Sequence, residues 1–299
     1  MATGARTSYL DPGTIARLGT LELRARSIVE GFLTGLHRSP FKGFSVEFAE
    51  YRQYLPGDDL ATLDWKVYAR TDRHFVKKYE EETNLECHIL LDVSASMGYG
   101  SGAITKLAYG SFLAAALAYL MNRQRDAVGL ITFDDKIIDM LPPRSRAGHL
   151  TSLLVTLERL ELGRMTDVAK PLRDLAEAIR KRGLVVLISD LLDDATRVLE
   201  GTKHFKYRGT EVIVFQVLDP AELQFPFEQA ARFRDTETAQ EVLAVPSAVR
   251  EQYLRAITGL QDRYRRELRL AGIDYAMLDT SVPLEAALMS YLFTRRRAF

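Results

Sequence analysis

The 299-residue sequence predicts an α/β fold: a doubly wound, mostly parallel sheet with helices on both faces, preceded by a small N-terminal α+β element. Three observations predict it. From residue 86 onward, short uninterrupted apolar runs such as Cys87–Leu91 and Leu184–Ile188 recur, and runs apolar on both faces mark strands buried on both sides. Segments of helical periodicity separate those runs, which is the alternation of a sheet built from crossover units. Residues ahead of them show no such alternation, so the chain divides into an N-terminal element, 1–83, and a sheet domain with a C-terminal helix, 84–299.

The elements follow in order. Leu21, Leu23, Ile28, Val29, Phe32 and Leu33 place an apolar face on a helix over 20–36. Polar and apolar residues alternate over 45–51, as in a half-buried strand, and Pro56-Gly57 sets a turn before Asp58-Asp59. A short helix is expected over 59–68 and a strand over 74–79. The strand Cys87–Leu91 precedes an Ala-rich helix over 104–122, and the strands 127–133 and 136–141 join at Asp134-Asp135 in a hairpin. Helices are expected over 147–160 and 168–181, then the strand Leu184–Ile188, a helix over 195–207 and the strand Glu211–Leu218. A hairpin over 231–245, a long helix over 247–271, a strand over 273–278 and a terminal helix from Val282 complete the pattern.

Composition narrows the function. Lys plus Arg number 40 and Asp plus Glu number 40, so the formal net charge is zero. The balance holds locally as well, with 12 of each sign over residues 1–85, 17 over 86–219 and 11 over 220–299. No basic domain is hidden by an acidic one, and nucleic acid is not an expected partner. One cysteine, Cys87, cannot form an intramolecular disulfide, which fits a reducing cytoplasm. Residues 1–16 lack the pattern of a signal peptide, and the longest apolar stretch, Phe112–Met121, is about half of the ~20 residues that span a bilayer. No transmembrane segment is expected.

The chemistry lies where the strands end, because loops at the carboxyl ends of parallel strands collect function. The first of these loops carries Asp92-Val93-Ser94-Ala95-Ser96, one carboxylate and two hydroxyls at alternate positions. Thr166 precedes a helix, and Asp190 follows the most apolar strand. Two carboxylates and three hydroxyls, all hard oxygen donors, suit Mg²⁺ or Mn²⁺ in octahedral coordination.

With this pattern the chain resembles the von Willebrand factor type A domain and its metal-ion-dependent adhesion site. The residues that match, in order and in strand context, are Asp92, Ser94, Ser96, Thr166 and Asp190. The front segment, Tyr54-Leu55-Pro56-Gly57-Asp58-Asp59 with Asp64, Trp65 and Arg70, is similar to the signature of a bacterial family numbered fifty-eight among the domains of unknown function. Members join this element to a type A domain, and many are thought to work with MoxR-type AAA+ ATPases. The resemblance implies a Rossmann-like fold and a divalent cation held by the five residues, with a partner's Asp or Glu completing its shell. It also implies a protein partner, a MoxR-like AAA+ ATPase in chaperone-like assembly or maturation; the sequence shows no catalytic constellation, so an enzyme is not expected. Pro56, Gly57, Asp58, Asp59, Asp64, Trp65 and Arg70 form a possible interface, or join the front element to the sheet.

Other readings of the same residues stand beside this one. Ser94 and Ser96 could satisfy backbone groups between strand and helix. Asp193 and Asp194 read as caps of the helix at Ala195. The stretch Gly98–Gly102 has neither a dinucleotide fingerprint nor a P-loop spacing and reads as a flexible loop. The charged cluster Arg263, Arg265, Arg266 and Arg269 is interleaved with Asp262 and Glu267, as on a solvated helix face. Cys87 and His88 read as packing on a buried strand, His37, His74, His149 and His204 show no metal-ligand spacing, and no Gly-x-Ser-x-Gly elbow is present. A Mg²⁺-dependent phosphohydrolase is the enzyme alternative, but Ser94 stands where such enzymes carry the Asp that donates a proton. A scaffold that needs no metal is the third alternative.

Overall fold

The computed structural model describes residues 12–16, 19–38, 51–53, 75–77, 86–146, 148–163, 168–179, 183–234, 241–285 and 288. Two helices lead, α1 (Pro12–Ala16) and α2 (Leu21–Arg38), followed by the short antiparallel pair β1 (Tyr51–Gln53) and β2 (Phe75–Lys77). Of the expected strand 45–51 only Tyr51 is described, as the first residue of β1, and the helix 59–68 and the front signature from Pro56 to Arg70 lie outside the described residues.

The main body alternates strand and helix. Its elements are β3 (Glu86–Asp92), α3 (Lys106–Arg123), β4 (Ala127–Phe133), β5 (Ile137–Arg144), α4 (His149–Glu158), α5 (Ala169–Ala178), β6 (Leu184–Ser189), α6 (Ala195–Tyr207) and β7 (Glu211–Leu218). A short helix α7 (Pro220–Gln224), a hairpin of β8 (Ala231–Arg234) and β9 (Glu241–Ala244), a long helix α8 (Pro246–Leu270) and β10 (Asp274–Asp279) follow. The expected terminal helix is described only at Leu284, Glu285 and Leu288.

Six strands form one sheet in the order β10-β7-β6-β3-β4-β5, all parallel except β5, which runs antiparallel to β4 through the expected hairpin. The expected α/β class therefore holds. β5 extends past the expected strand and includes Pro142 and Pro143; an edge strand tolerates prolines because one row of its amides need not join the ladder. A register shift beside Gly129 accommodates them, since a Cβ there would lie 2.7 Å from the Leu141 carbonyl oxygen.

Alternating side chains of the central strands fill two cores. Cys87, Ile89, Leu91, Val186 and Ile188 face one way with α3 and α4, while Leu90, Val185, Leu187 and Val214 face the other with α5, α6 and α8. Helix α3 is apolar around most of its circumference because it lies between the sheet and α2, whose Leu21, Ala25, Ile28 and Val29 belong to the same core. Cys87 is core packing, fully buried.

Chain direction reverses at β3 and β6. The path runs from β3 outward to β4 and β5, then returns to β6 on β3's other side and continues to β7 and β10. A switch point of this kind leaves a crevice outside the carboxyl ends of the two strands, because the connections leave in opposite directions. Asp92 is the last residue of β3, and Asp190 follows the last residue of β6.

Candidate functional site

At the carboxyl end of β3, Asp92 is fully buried with both carboxylate oxygens engaged. Oδ1 accepts the Ser94 amide N–H at 2.8 Å, and Oδ2 accepts the Ser189 hydroxyl at 2.6 Å. The first of these closes a tight turn that starts a 3₁₀ turn over Ala95–Gly98 and brings the Ser94 and Ser96 hydroxyl oxygens within 3.1 Å of each other. The two hydroxyls are hydrogen-bonded to each other, and the edge of an octahedron with metal–oxygen bonds of about 2.1 Å is about 3.0 Å long, so the same spacing would also suit neighbouring ligands of one Mg²⁺-sized ion.

Asp190 is also fully buried. Its Oδ1 accepts the Leu192 amide at 3.2 Å, its Oδ2 accepts the Lys106 ammonium at 2.7 Å, and its backbone carbonyl accepts the Gln216 side-chain amide at 2.9 Å. Between them, Leu191 has a φ of +54°, a left-handed conformation that a non-glycine residue holds at a cost of roughly 1–2 kcal/mol. The reward is local: this bend turns the Leu191 amide onto Ser189 Oγ and the Leu192 amide onto Asp190, and Tyr264 Oη donates to the Leu191 carbonyl at 3.0 Å.

The second loop is held against the first and third on both of its flanks. The Gly163 amide donates to the Val93 carbonyl at 2.7 Å, and only glycine fits there, because a Cβ would lie 2.7 Å from the Asp134 Cβ. On the other flank the Val168 amide donates to Asp193 Oδ2 at 3.1 Å. Thr166 lies outside the described residues. Asp194 caps α6 as expected, whereas Asp193 departs from the cap expectation by joining the second loop to the third. The glycine stretch is a loop, but a tethered one: the Ser101 amide donates to Asp219 Oδ2 at 2.9 Å, and its hydroxyl donates to Oδ1.

Sequence reasoning missed the cation at the centre. Lys106, fully buried, places its ammonium 2.7 Å from Asp190 and 2.6 Å from Glu222 of α7. Glu222 in turn accepts the Asp219 amide in a capping box, and Asp219 is fully buried. A signal was available: a lysine at the first position of an apolar helix opposes the helix dipole and needs an anionic partner. Ser189, another missed residue, carried no signal of its own.

Electrostatics at this edge is strained. Burial, and next the charge of Asp190, push the Asp92 carboxyl up to about 7, against the hydrogen bonds from Ser189 and Ser94. Burial likewise raises Glu222, with Lys106 acting the other way. For Lys106, burial works against the charge, but the carboxylates of Asp190 and Glu222 outweigh it and hold the ammonium above its usual value. Among the described residues Lys106 is the one cation paired to Asp190 and Glu222. Among the described residues, no three His, Cys, Asp or Glu side chains gather as a metal cluster, so a cation held here would need the serine hydroxyls as well as the carboxylates.

Residues 50–263 match the family described as "Protein of unknown function DUF58". The chain belongs to that family. Uncharacterized proteins of Mycobacterium tuberculosis and Mycobacterium bovis are 28% identical to it over 295 residues, 96% of this chain and 91% of theirs. Similar solved structures include an aerotolerance-related membrane protein of Bacteroides fragilis (19% identity, 70% of this chain and 99% of that one, TM-score 0.47) and the conserved hypothetical protein BatB of Bacteroides thetaiotaomicron (18%, 71% and 99%, 0.46). The VWA domain of SpRpn10 is similar at 14% identity over 68% of this chain and 93% of that one, with a TM-score of 0.38.

Proposed function

We propose that this family member binds one divalent cation, Mg²⁺ or Mn²⁺, through Asp92, Ser94, Ser96, Thr166 and Asp190, and through it engages an acidic side chain of a protein partner. The observation that carries the reading is the pair of fully buried carboxylates at the switch point, beside two hydroxyls 3.1 Å apart. Buried charges persist when they are paired or hold a metal, and among the described residues Asp92 has only hydroxyl and amide partners. The anchoring of Gly163 and Val168 supports Thr166 as a fifth donor, because the chain on either side of it is tied to the loops that carry the other four. When bound, the cation would supply an electrophilic point that attracts a carboxylate far more strongly than an exposed ion pair of about 0–1 kcal/mol.

A MoxR-type AAA+ ATPase is the partner class we propose, on the family resemblance, with a cytoplasmic location; among the described residues no helix is long and apolar enough to cross a membrane. The role is binding, not catalysis. Ser94 stands where a phosphohydrolase carries its proton-donating Asp and cannot serve as that acid.

Titration calorimetry with Mg²⁺ and Mn²⁺ tests the proposal. Wild type should bind one ion and Asp92→Ala none; equal binding by both, or none by either, would overturn the metal site. Affinity capture with and without EDTA tests the interaction: an AAA+ ATPase recovered only with metal supports it, and a complex indifferent to EDTA favours the metal-independent scaffold.

A further inference from the structure

We infer that Lys106 is a built-in counter-cation that competes with the divalent metal for Asp190 and so sets the affinity of the site. The inference rests on the metal reading above and assigns a role to a residue outside the ligand set.

The ammonium stands between two carboxylates, at 2.7 Å from Asp190 Oδ2 and 2.6 Å from Glu222 Oε1. The other Asp190 oxygen already accepts the Leu192 amide, so the lysine holds the side of the carboxylate that the protein backbone leaves open. A divalent ion that takes Asp190 must either displace the ammonium from Oδ2 or settle beside it, and both weaken binding. Displacement forfeits a buried ion pair, and coexistence places like charges together where water screens little.

Glu222 gives the ammonium a second home. Its Oε1 pairs with Lys106 while its Oε2 accepts the Asp219 amide, so it is fixed in place by the capping box of α7. Tyr99 closes the remaining side, its ring centroid 5.9 Å from the ammonium and its carbonyl accepting the Lys106 amide at 2.9 Å. The lysine can therefore release Asp190 without losing every partner. Before the metal arrives it neutralises one of the two facing acids; afterwards it is retained by Glu222.

The two partners of the competition should shift affinity in opposite directions, although neither is a metal ligand. Lys106→Met removes the competitor and should bind Mn²⁺ at least about tenfold more tightly than wild type. Glu222→Gln removes the second home, confines the ammonium to Asp190 and should bind Mn²⁺ several-fold more weakly. Mn²⁺ titrations on the full chain, with metal-free and Mn²⁺-loaded melting temperatures, read both. Metal-free Lys106→Met should melt lower than wild type and gain more from Mn²⁺. Where Lys106→Met fails to fold, Lys106→Met/Glu222→Gln removes both members of one ion pair and should still bind more tightly than wild type. Wild-type binding with unchanged or weaker binding by the lysine variants would overturn the inference alone, leaving Lys106 as a group that merely positions Asp190. Silence from wild type and the lysine variants alike would overturn the metal reading together with it.

Discussion

Two charged regions of this protein differ in what their charges do. On α8, Arg263, Arg265 and Arg266 lie in water, paired or hydrogen-bonded to Asp262, Glu267 and Thr196 across an exposed face. At the carboxyl ends of β3 and β6, fewer charges lie out of water, where Asp92 and Asp190 oppose each other and Lys106 answers only one of them. The helix face is a solvent-facing surface as the sequence pattern predicts. The sheet edge is where we propose a site, because burial turns the same residue types into unmet electrostatic demand.

The contrast can be broken experimentally, and the largest effect should come from Asp190→Ala. It leaves the Lys106 ammonium buried with Glu222 alone, and urea denaturation should show a loss of about 3–5 kcal/mol, the range for removing one partner of a buried pair. A smaller loss would mean that water reaches the lysine.

Glu285 tests buried charge away from the site. It is 1% exposed, its Oε2 has no hydrogen-bond partner among the described residues, and Gly31 of α2 approaches so closely that a Cβ there would lie 3.2 Å from Oε1. Burial pushes this carboxyl up to about 7 from an ordinary 4.5. Because the folded pKa lies above the unfolded one, the folded state binds the proton more tightly. Its stabilising contribution is fully present below about pH 4.5 and is lost as pH rises through 7. Glu285→Gln should flatten that fall and gain up to about 3 kcal/mol over wild type at pH 8; parallel stability–pH profiles of the two proteins would contradict it.

Asp92→Asn sharpens the comparison in the opposite direction. Removing one of two opposed charges should stabilise the protein in EDTA at pH 8, by about 1–2 kcal/mol, while abolishing stabilisation by Mn²⁺. Thermal melts with and without metal read both effects, and a destabilised variant would show that the Asp92 hydrogen bonds outweigh its repulsion from Asp190. The smallest effect belongs to α8: Arg265→Ala should change stability by less than about 1 kcal/mol and leave metal binding unaltered.

Much of this fold was legible because its signals are local. Apolar runs over 87–91, 184–188 and 211–218 identify strands, and the helix over 195–207 coincides with α6. Short helices were harder: α1 and α7 have five residues each, too few for a periodicity to show. At the site, Asp92, Ser94 and Ser96 sit on one loop, and their spacing alone places them together. Asp190 needed the strand order, which sets β6 beside β3. Lys106 stayed hidden within an apolar helix, although its place at the helix start was anomalous.

By itself the sequence determined the α/β alternation, the neutral charge balance and the oxygen-donor motif, since each is a property of neighbouring residues. Only the tertiary structure decided which charges meet. Lys106 reaches Asp190 across 84 residues and Glu222 across 116, and Asp92 reaches Ser189 across 97. Those pairings follow from the reversal between β3 and β6, which brings distant strand ends to one edge. Burial there gives a lysine and four carboxylates, Asp92, Asp190, Asp219 and Glu222, an energetic weight that the same residues lack in water.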